Sequence, residues 1–239
     1  LFFLGLSSDA NLLGPYSAAT KILALGLGVI NAFLASIQPR FARMTHDLRS
    51  HSLKDLTLNT SRLLMLLILP ATVTCWQAGD VLLLIFFGER FASGFEFLRP
   101  LSLGFLFFIM ALPASHVLLV SHEVKRTLRL TVGNVLVLGV FLLSALQFVG
   151  GAHLPWAMAA GQLVFFVSSW AALKHRPLAL QRGEMIAFLF PNVLLALFFA
   201  TPQTHSLVGL LAGVVLYFTV LGFLRDRIKP WFQTVFASR

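Results

Sequence analysis

Several features that soluble domains depend on are scarce in this sequence. Only 11% of the residues are charged, against about 25% in a typical soluble domain, and nine acidic residues face 18 Lys and Arg. The one cysteine, Cys75, excludes an internal disulfide, and its apolar surroundings are typical of a small core residue. Hydrophobic residues make up 58% of the chain. This balance excludes an ordinary soluble domain and indicates a membrane protein.

Signals of enzyme chemistry are also missing. His122 and Glu123 lack the second histidine of a zinc-binding helix, and the seven histidines show no metal-ligand spacing. No serine occupies a nucleophile elbow, and the apolar stretches contain no pair of acidic residues for acid–base catalysis. We therefore expect no enzyme activity, no catalytic residue, no metal and no cofactor.

Long apolar stretches dominate what is present. Seven of them are long enough to cross the roughly 30 Å hydrocarbon core as helices, within which every backbone polar group must be paired. The predicted spans are residues 16–38, 60–78, 98–120, 128–149, 155–173, 185–200 and 207–224. Residues 1–8 are predicted to end a truncated helix, so the chain is expected to be the C-terminal part of a longer protein. The predicted fold is an all-α integral membrane bundle over residues 1–224.

The basic residues lie almost wholly in alternate gaps between these stretches. All 18 Lys and Arg except Lys21, Arg90 and Arg99 are in one set of gaps, namely Arg40, Arg43, Arg49, Lys54 and Arg62, then Lys125, Arg126 and Arg129, then Lys174, Arg176 and Arg182, and finally Arg225, Arg227, Lys229 and Arg239. The positive-inside rule places these gaps and the C-terminus in the cytoplasm. Anionic lipid then accounts for the net charge of +9, and no nucleic-acid partner is expected.

Two shorter segments are predicted to lie at the membrane surface. Residues 225–239 form an amphipathic tail whose apolar residues recur at helical spacing: Ile228, Trp231, Phe232, Val235 and Phe236. The tail is expected to lie on the inner leaflet, with docking of a partner protein as the alternative. Residues 81–87 are apolar but too short to span, and are expected to form a short helix against the outer face.

The first span has two unlike faces. At 100° per residue, one sector holds small and polar residues, which are Ser17, Lys21, Ala24, Gly28, Ala32 and Ala35, with Asn31 and Gln38 at its edge. The opposite sector holds Leu23, Leu27, Ile30, Leu34 and Ile37. The small, polar face is expected to point at other helices or at a water-filled cavity.

Lys21 is the sharpest candidate for a functional residue. It lies about five residues into its predicted span, roughly 8 Å from the outer end. A lysine at that depth can extend its ammonium to the interface, or it can be a fixed cation that binds phosphate. Asn134 and Thr131 share a face near the cytoplasmic start of their span, where an interhelical hydrogen bond is the simpler role.

Several short segments together resemble one family. They are residues 14–22 (GPYSAATKI), 37–41 (IQPRF), 67–70 (LILP), 83–91 (LLIFFGERF), 133–135 (GNV) and 156–161 (WAMAAG). Their order and spacing resemble the C-terminal half of the polysaccharide-exporter branch of the multidrug/oligosaccharidyl-lipid/polysaccharide flippase superfamily. In that branch a Gly-x-Tyr-Ser-x-Ala-like start is followed by a basic residue, and Lys21 stands at this position.

The resemblance implies half of a two-lobed alternating-access transporter in a bacterial inner membrane. Its substrate would be an undecaprenyl-pyrophosphate-linked oligosaccharide, moved to the periplasmic leaflet for the synthesis of O-antigen, capsule or exopolysaccharide. Lys21 would bind the pyrophosphate, while Asn31 and Asn134 would face the translocation path. Membrane lipids and membrane proteins of glycan assembly are the further expected partners.

Three alternatives stay open. A multidrug exporter of the same architecture would carry cations and would favour acidic residues in its cavity. A membrane glycan polymerase or ligase would need a large outer loop with catalytic Arg or His. A membrane scaffold would move no lipid.

Overall fold

The structure, a computed structural model, describes residues 10–46, 50–120, 124–148 and 153–173, together with 230, 233 and 235. Within these residues the chain is helical and has no strand. The α-helices are α1 (Ala10–His46), α2 (Ser50–Phe87), α3 (Phe95–Val120), α4 (Val124–Phe148) and α5 (Leu154–Ala172). A 3₁₀ helix, Glu89–Gly94, connects α2 to α3. All five α-helices contain a segment long and apolar enough to cross a membrane.

These five helices cover the first five predicted spans, except for residue 173, which follows the end of α5, and residue 149, which lies outside the described residues. The predicted spans 185–200 and 207–224, and the partial helix 1–8, lie outside the described residues. Of the predicted amphipathic tail, Val235 is buried in a core cluster with Ile37 and Phe41. The other members of its apolar stripe lie outside the described residues.

Four of the five helices are longer than the apolar stretches that predicted them, and α5, with 19 residues, equals its stretch in length. α1 has 37 residues and includes both Pro15 and Pro39, while α2 has 38 residues. The predicted short outer helix 81–87 is the last part of α2, beyond a break at Ala78, where φ is −122° and ψ is 25°. Hydropathy marks only the part of a helix that crosses hydrocarbon, so it does not show where the hydrogen-bonded helix ends.

α3 is the central helix of the bundle. It packs most extensively on α5 and also contacts α1, α2 and α4, whereas α4 packs chiefly on α5. One buried cluster shows how three helices meet: Ile30 and Leu34 of α1, Leu64 and Ile68 of α2, and Ile109 of α3. Gly104 of α3 allows the closest approach of α5, because an added Cβ would lie 3.0 Å from the Cα of Ala159.

The outward face of α4 is apolar along its middle, between Arg129 and Gln147, which are exposed near its two ends. Large hydrophobic side chains are exposed along it, namely Leu128, Val132, Val135, Leu136, Val140 and Leu143. Water would not stabilise such a surface, whereas acyl chains would. We therefore compare the other exposed helix surfaces with the outward face of α4, as an example of a surface suited to lipid.

Gly94 holds the 3₁₀ helix against the start of α1. A Cβ added there would lie 2.6 Å from the carbonyl oxygen of Pro15, closer than real contacts allow. We expect Gly94→Ala to destabilise the protein by about 1–3 kcal/mol, because backbone must move to admit the methyl group. Thermal unfolding in detergent measures this effect. Gly28→Ala is the control, since no described atom outside the backbone of its own turn lies within 4 Å of its added Cβ. Equal loss in both variants would show that the contact at Gly94 has no such effect.

Arg99 of α3 stabilises the break in α2. Its Nε donates a hydrogen bond of 3.2 Å to the carbonyl oxygen of Trp76. Its guanidinium also lies 4.0 Å from the centre of the Phe95 ring. Because the helical hydrogen-bond pattern is interrupted at Ala78, an outside donor to a nearby carbonyl offsets part of the cost.

Removing this donor should weaken the bundle. We expect Arg99→Ala to lower the free energy of unfolding by about 1.5–3 kcal/mol, the usual contribution of a hydrogen bond from a charged group. The matched control is Arg90→Ala, since Arg90 is an exposed arginine nearby on the 3₁₀ helix. Its loss should change stability by less than about 0.5 kcal/mol. Equal shifts in the unfolding temperature of the two variants would show that Arg99 does not stabilise the break in α2.

Candidate functional site

One face of α1 is open along much of its length. The exposed residues on it are small or polar, and they are Lys21, Ala24, Gly28, Asn31, Ala32 and Ala35. We call these six residues the small-residue face. Gln38 continues it toward the end of the helix and is exposed too, while Ser17 at the other end is half-buried.

The opposite side of α1 is buried, as its periodicity predicts. Ile30, Leu34 and Ile37 are core residues that pack on α2 and α3. Leu23 and Leu27 are half-buried. Since the apolar side of α1 binds the bundle, the small-residue face must point away from it.

The two edges of the small-residue face differ in chemistry. On one edge Leu25 and Val29 are 64% and 59% exposed. On the other edge lie Asn31 and Gln38, both exposed. An apolar edge is suited to acyl chains, and an amide edge is suited to water or a polar ligand. α1 therefore has the side chains of a helix between lipid and a polar space.

The ammonium of Lys21 is available for a ligand. The side chain is exposed, and the described residues offer it no hydrogen bond and no ion pair. The neighbouring Thr20 hydroxyl donates within the helix, to the carbonyl oxygen of Ser17 at 2.9 Å. The apolar segment of α1 begins at Leu13, which places Lys21 about 12 Å along the helix from that end. A lysine ammonium in this position can bind phosphate as a point charge.

The structure places two of the three predicted site residues on one surface. Lys21 and Asn31 share the small-residue face, about 15 Å apart along the helix axis. Asn134 is on α4, which packs chiefly on α5 rather than on α1. Its side chain is half-buried, so a shared site with Lys21 stays a prediction.

Asn134 has an unusual environment for a residue expected to join two helices. Its Oδ1 is buried without a hydrogen-bond partner in the part of the chain that the structure describes, and the same is true of Oε1 of Gln162 on α5. The two helices are in close contact, because a Cβ on Gly161 would lie 2.6 Å from the Leu138 side chain. Buried amide oxygens without donors cost free energy, and these two are enclosed within the bundle, where a ligand outside it does not reach them.

Gln77 is a buried polar residue that the sequence did not single out. It is 6% exposed, and neither amide atom has a hydrogen-bond partner among the described residues. The feature of the sequence that could have identified Gln77 is its position, immediately before the break at Ala78. A polar residue beside Ala78 and Gly79 in an apolar helix marks an interruption, but hydropathy averages over it.

The arrangement as a whole offers one exposed cation, an amide edge and a surface of small side chains. Such a surface can bind an anionic group and leave room for a bulky polar one. Comparisons of the chain with protein-family models, with curated proteins and with solved structures found no match.

Proposed function

We propose that this bundle is half of a flippase for an undecaprenyl-pyrophosphate-linked oligosaccharide. It would move this lipid from the cytoplasmic to the periplasmic leaflet of a bacterial inner membrane during the synthesis of O-antigen, capsule or exopolysaccharide. The observation that carries the proposal is the exposed small-residue face with Lys21 on it. The resemblance of residues 14–22 and the later segments to polysaccharide exporters supplies the substrate class.

The contrast between α1 and α4 supports a polar space beside α1. A helix surface that faces lipid is covered with large apolar side chains, as on α4. α1 instead exposes Lys21, Asn31 and Gln38 among alanine and glycine. Polar groups turned toward hydrocarbon cost several kcal/mol. A second helical lobe opposite this face, with a water-filled cavity between the lobes, removes that cost.

Each group in the proposed site has a distinct role. The ammonium of Lys21 binds the pyrophosphate, whose charge cannot cross hydrocarbon alone. The amide of Asn31 donates to and accepts from sugar hydroxyls, whereas Asn134, whose Oδ1 is buried, would reach the sugar only after α4 moves. Small side chains such as Gly28 leave room for the oligosaccharide. The lipid chain stays in the bilayer, and rocking of one lobe against the other exposes the cavity to each side in turn.

The described residues favour this function over its rivals. A multidrug exporter needs an acid to bind cations, but the small-residue face has none. Asp55 lies five residues after the start of α2, and Asp80 lies beyond the break at Ala78, seven residues before its end. A polymerase or ligase needs a large outer loop, and between α2 and α3 there is only Gly88 and the six-residue helix Glu89–Gly94.

A reconstituted transport assay tests the proposal. The complete protein is placed in vesicles with undecaprenyl-pyrophosphate oligosaccharide that carries a fluorescent sugar, and a membrane-impermeant quencher reports its movement between leaflets. We expect movement that protein-free vesicles lack. Export of a cationic dye without lipid movement would instead indicate a multidrug exporter. A lengthened glycan would indicate a polymerase. If neither the labelled lipid nor the dye moves, the protein would be a membrane scaffold.

A further inference from the structure

A cavity of about 250 Å³ lies between α1, α2 and α3. Its wall is formed by Ile22, Leu23 and Gly26 of α1, by Ile68, Ala71, Thr72, Thr74, Cys75 and Leu82 of α2, and by Ser102 and Phe105 of α3. Gly26 lies about 140° around α1 from Lys21. The cavity is therefore separate from the small-residue face and is not part of the proposed transport path.

The hydroxyl groups in the wall are already used within their own helices. Thr72 donates to the carbonyl oxygen of Ile68 at 3.0 Å, and Thr74 donates to that of Pro70 at 2.8 Å. Ser102 donates to the carbonyl oxygen of Arg99 at 2.7 Å. The wall therefore offers few polar groups to a ligand. Apolar cavities with no polar partners stay free of water, and one of about 150 Å³ binds benzene.

The surroundings of the cavity point to hydrocarbon. The cavity lies within segments apolar enough to cross a membrane, Leu13–Arg43 and Leu53–Phe87 among them. Ala71 in its wall is exposed. Leu25 and Val29, the exposed apolar edge of α1, lie beside Ile22 on the helix surface. Acyl chains that cover this edge thus reach the cavity directly.

We infer that an acyl chain of a bilayer phospholipid occupies this cavity and packs between α1 and α2. The volume accommodates a segment of several carbons, and the wall matches it in polarity. The acyl chain fills a gap in which the side chains of the two helices would otherwise lack van der Waals contacts. This lipid is structural, and the inference does not depend on the proposed transport function.

Photo-crosslinking tests the occupant. The complete protein is reconstituted with phosphatidylethanolamine that carries a diazirine midway along one acyl chain, and adducts are mapped by mass spectrometry. We expect adducts on the α2 wall, residues 68–75, as well as on the lipid-facing surface of α4. The α4 adducts serve as an internal control for general contact with lipid. Labelling of α4 without labelling of residues 68–75 would overturn the inference.

Two variants distinguish the cavity from surface labelling. Ala71→Phe and Cys75→Leu add bulk to the wall, and each should reduce adducts on residues 68–75 several-fold while α4 is labelled as before. Unchanged labelling of the wall in both would contradict occupancy of the cavity. A further arm adds a small mole fraction of unlabelled undecaprenyl phosphate. Loss of the wall adducts alone in this arm would identify a prenyl chain as the occupant and would overturn the acyl-chain assignment.

Discussion

Replacing Lys21 by alanine in the complete protein is expected to lower glycan export at least about tenfold, with protein levels unchanged. A hydrogen bond to a charged group contributes about 1.5–3 kcal/mol, and each 1.4 kcal/mol is a factor of ten. The ammonium is exposed, so its removal leaves no buried group unpaired and should not affect folding. Surface glycan per molecule of membrane-inserted protein is the measurement.

Two further variants separate the role of Lys21 from a general effect of charge. Lys21→Arg keeps the cation and should retain most of the export. Lys125→Ala removes another exposed lysine, at the start of α4, and should have little effect. Normal export by Lys21→Ala, or equal losses in Lys21→Ala and Lys125→Ala, would remove Lys21 from the proposed site.

Gly28→Leu is the second variant with a large expected effect, a loss of about fivefold or more in export. Gly28 lies in the middle of the small-residue face, and no described atom lies within 4 Å of a Cβ added there. Leucine therefore fits this bundle and even improves helix propensity, by up to about 1 kcal/mol. Bulk inserted into a fitted space costs about 1–3 kcal/mol, so the loss should fall on transport rather than on stability.

Gly139→Leu is the matched control. Gly139 is also a glycine within a helix whose added Cβ meets no described atom within 4 Å. It lies on α4 near Val135 and Val140, which are exposed and apolar. Leucine there should face lipid and leave export unchanged. Equal export by the two variants, at equal protein levels, would indicate that the face of α1 is in lipid as well.

The two-sided character of α1 was predictable because it depends on a local rule. Every third or fourth residue of a helix lies on the same side, so the positions of Ile30, Leu34 and Ile37 were enough to predict the buried side. The same helical periodicity places Lys21, Asn31 and Gly28 on the opposite side, where they are exposed. The depth of each residue in a membrane does not follow from this rule, because α1 extends beyond its apolar stretch at both ends.

Features that depend on contacts between helices were not predictable. The hydrogen bond from Arg99 to the carbonyl oxygen of Trp76 joins residues on two helices. The cavity beside Cys75 is lined by residues of three helices. Neither leaves a periodic pattern in one segment. Asn134 shows the same limit: its helix was predicted, but the lack of a partner for its Oδ1 depends on how α4 and α5 pack.

A transport path beside α1 requires that water reach the small-residue face within the membrane, and thiol labelling measures this. In the complete protein, with Cys75→Ala and any other cysteine replaced, single cysteines are introduced as Gly28→Cys and Gly139→Cys. A charged, membrane-impermeant thiol reagent is then applied to each side of the membrane. We expect rapid labelling at position 28 and none at position 139. If position 28 is as unreactive as position 139 from both sides, the small-residue face is in lipid and the transport path does not pass it.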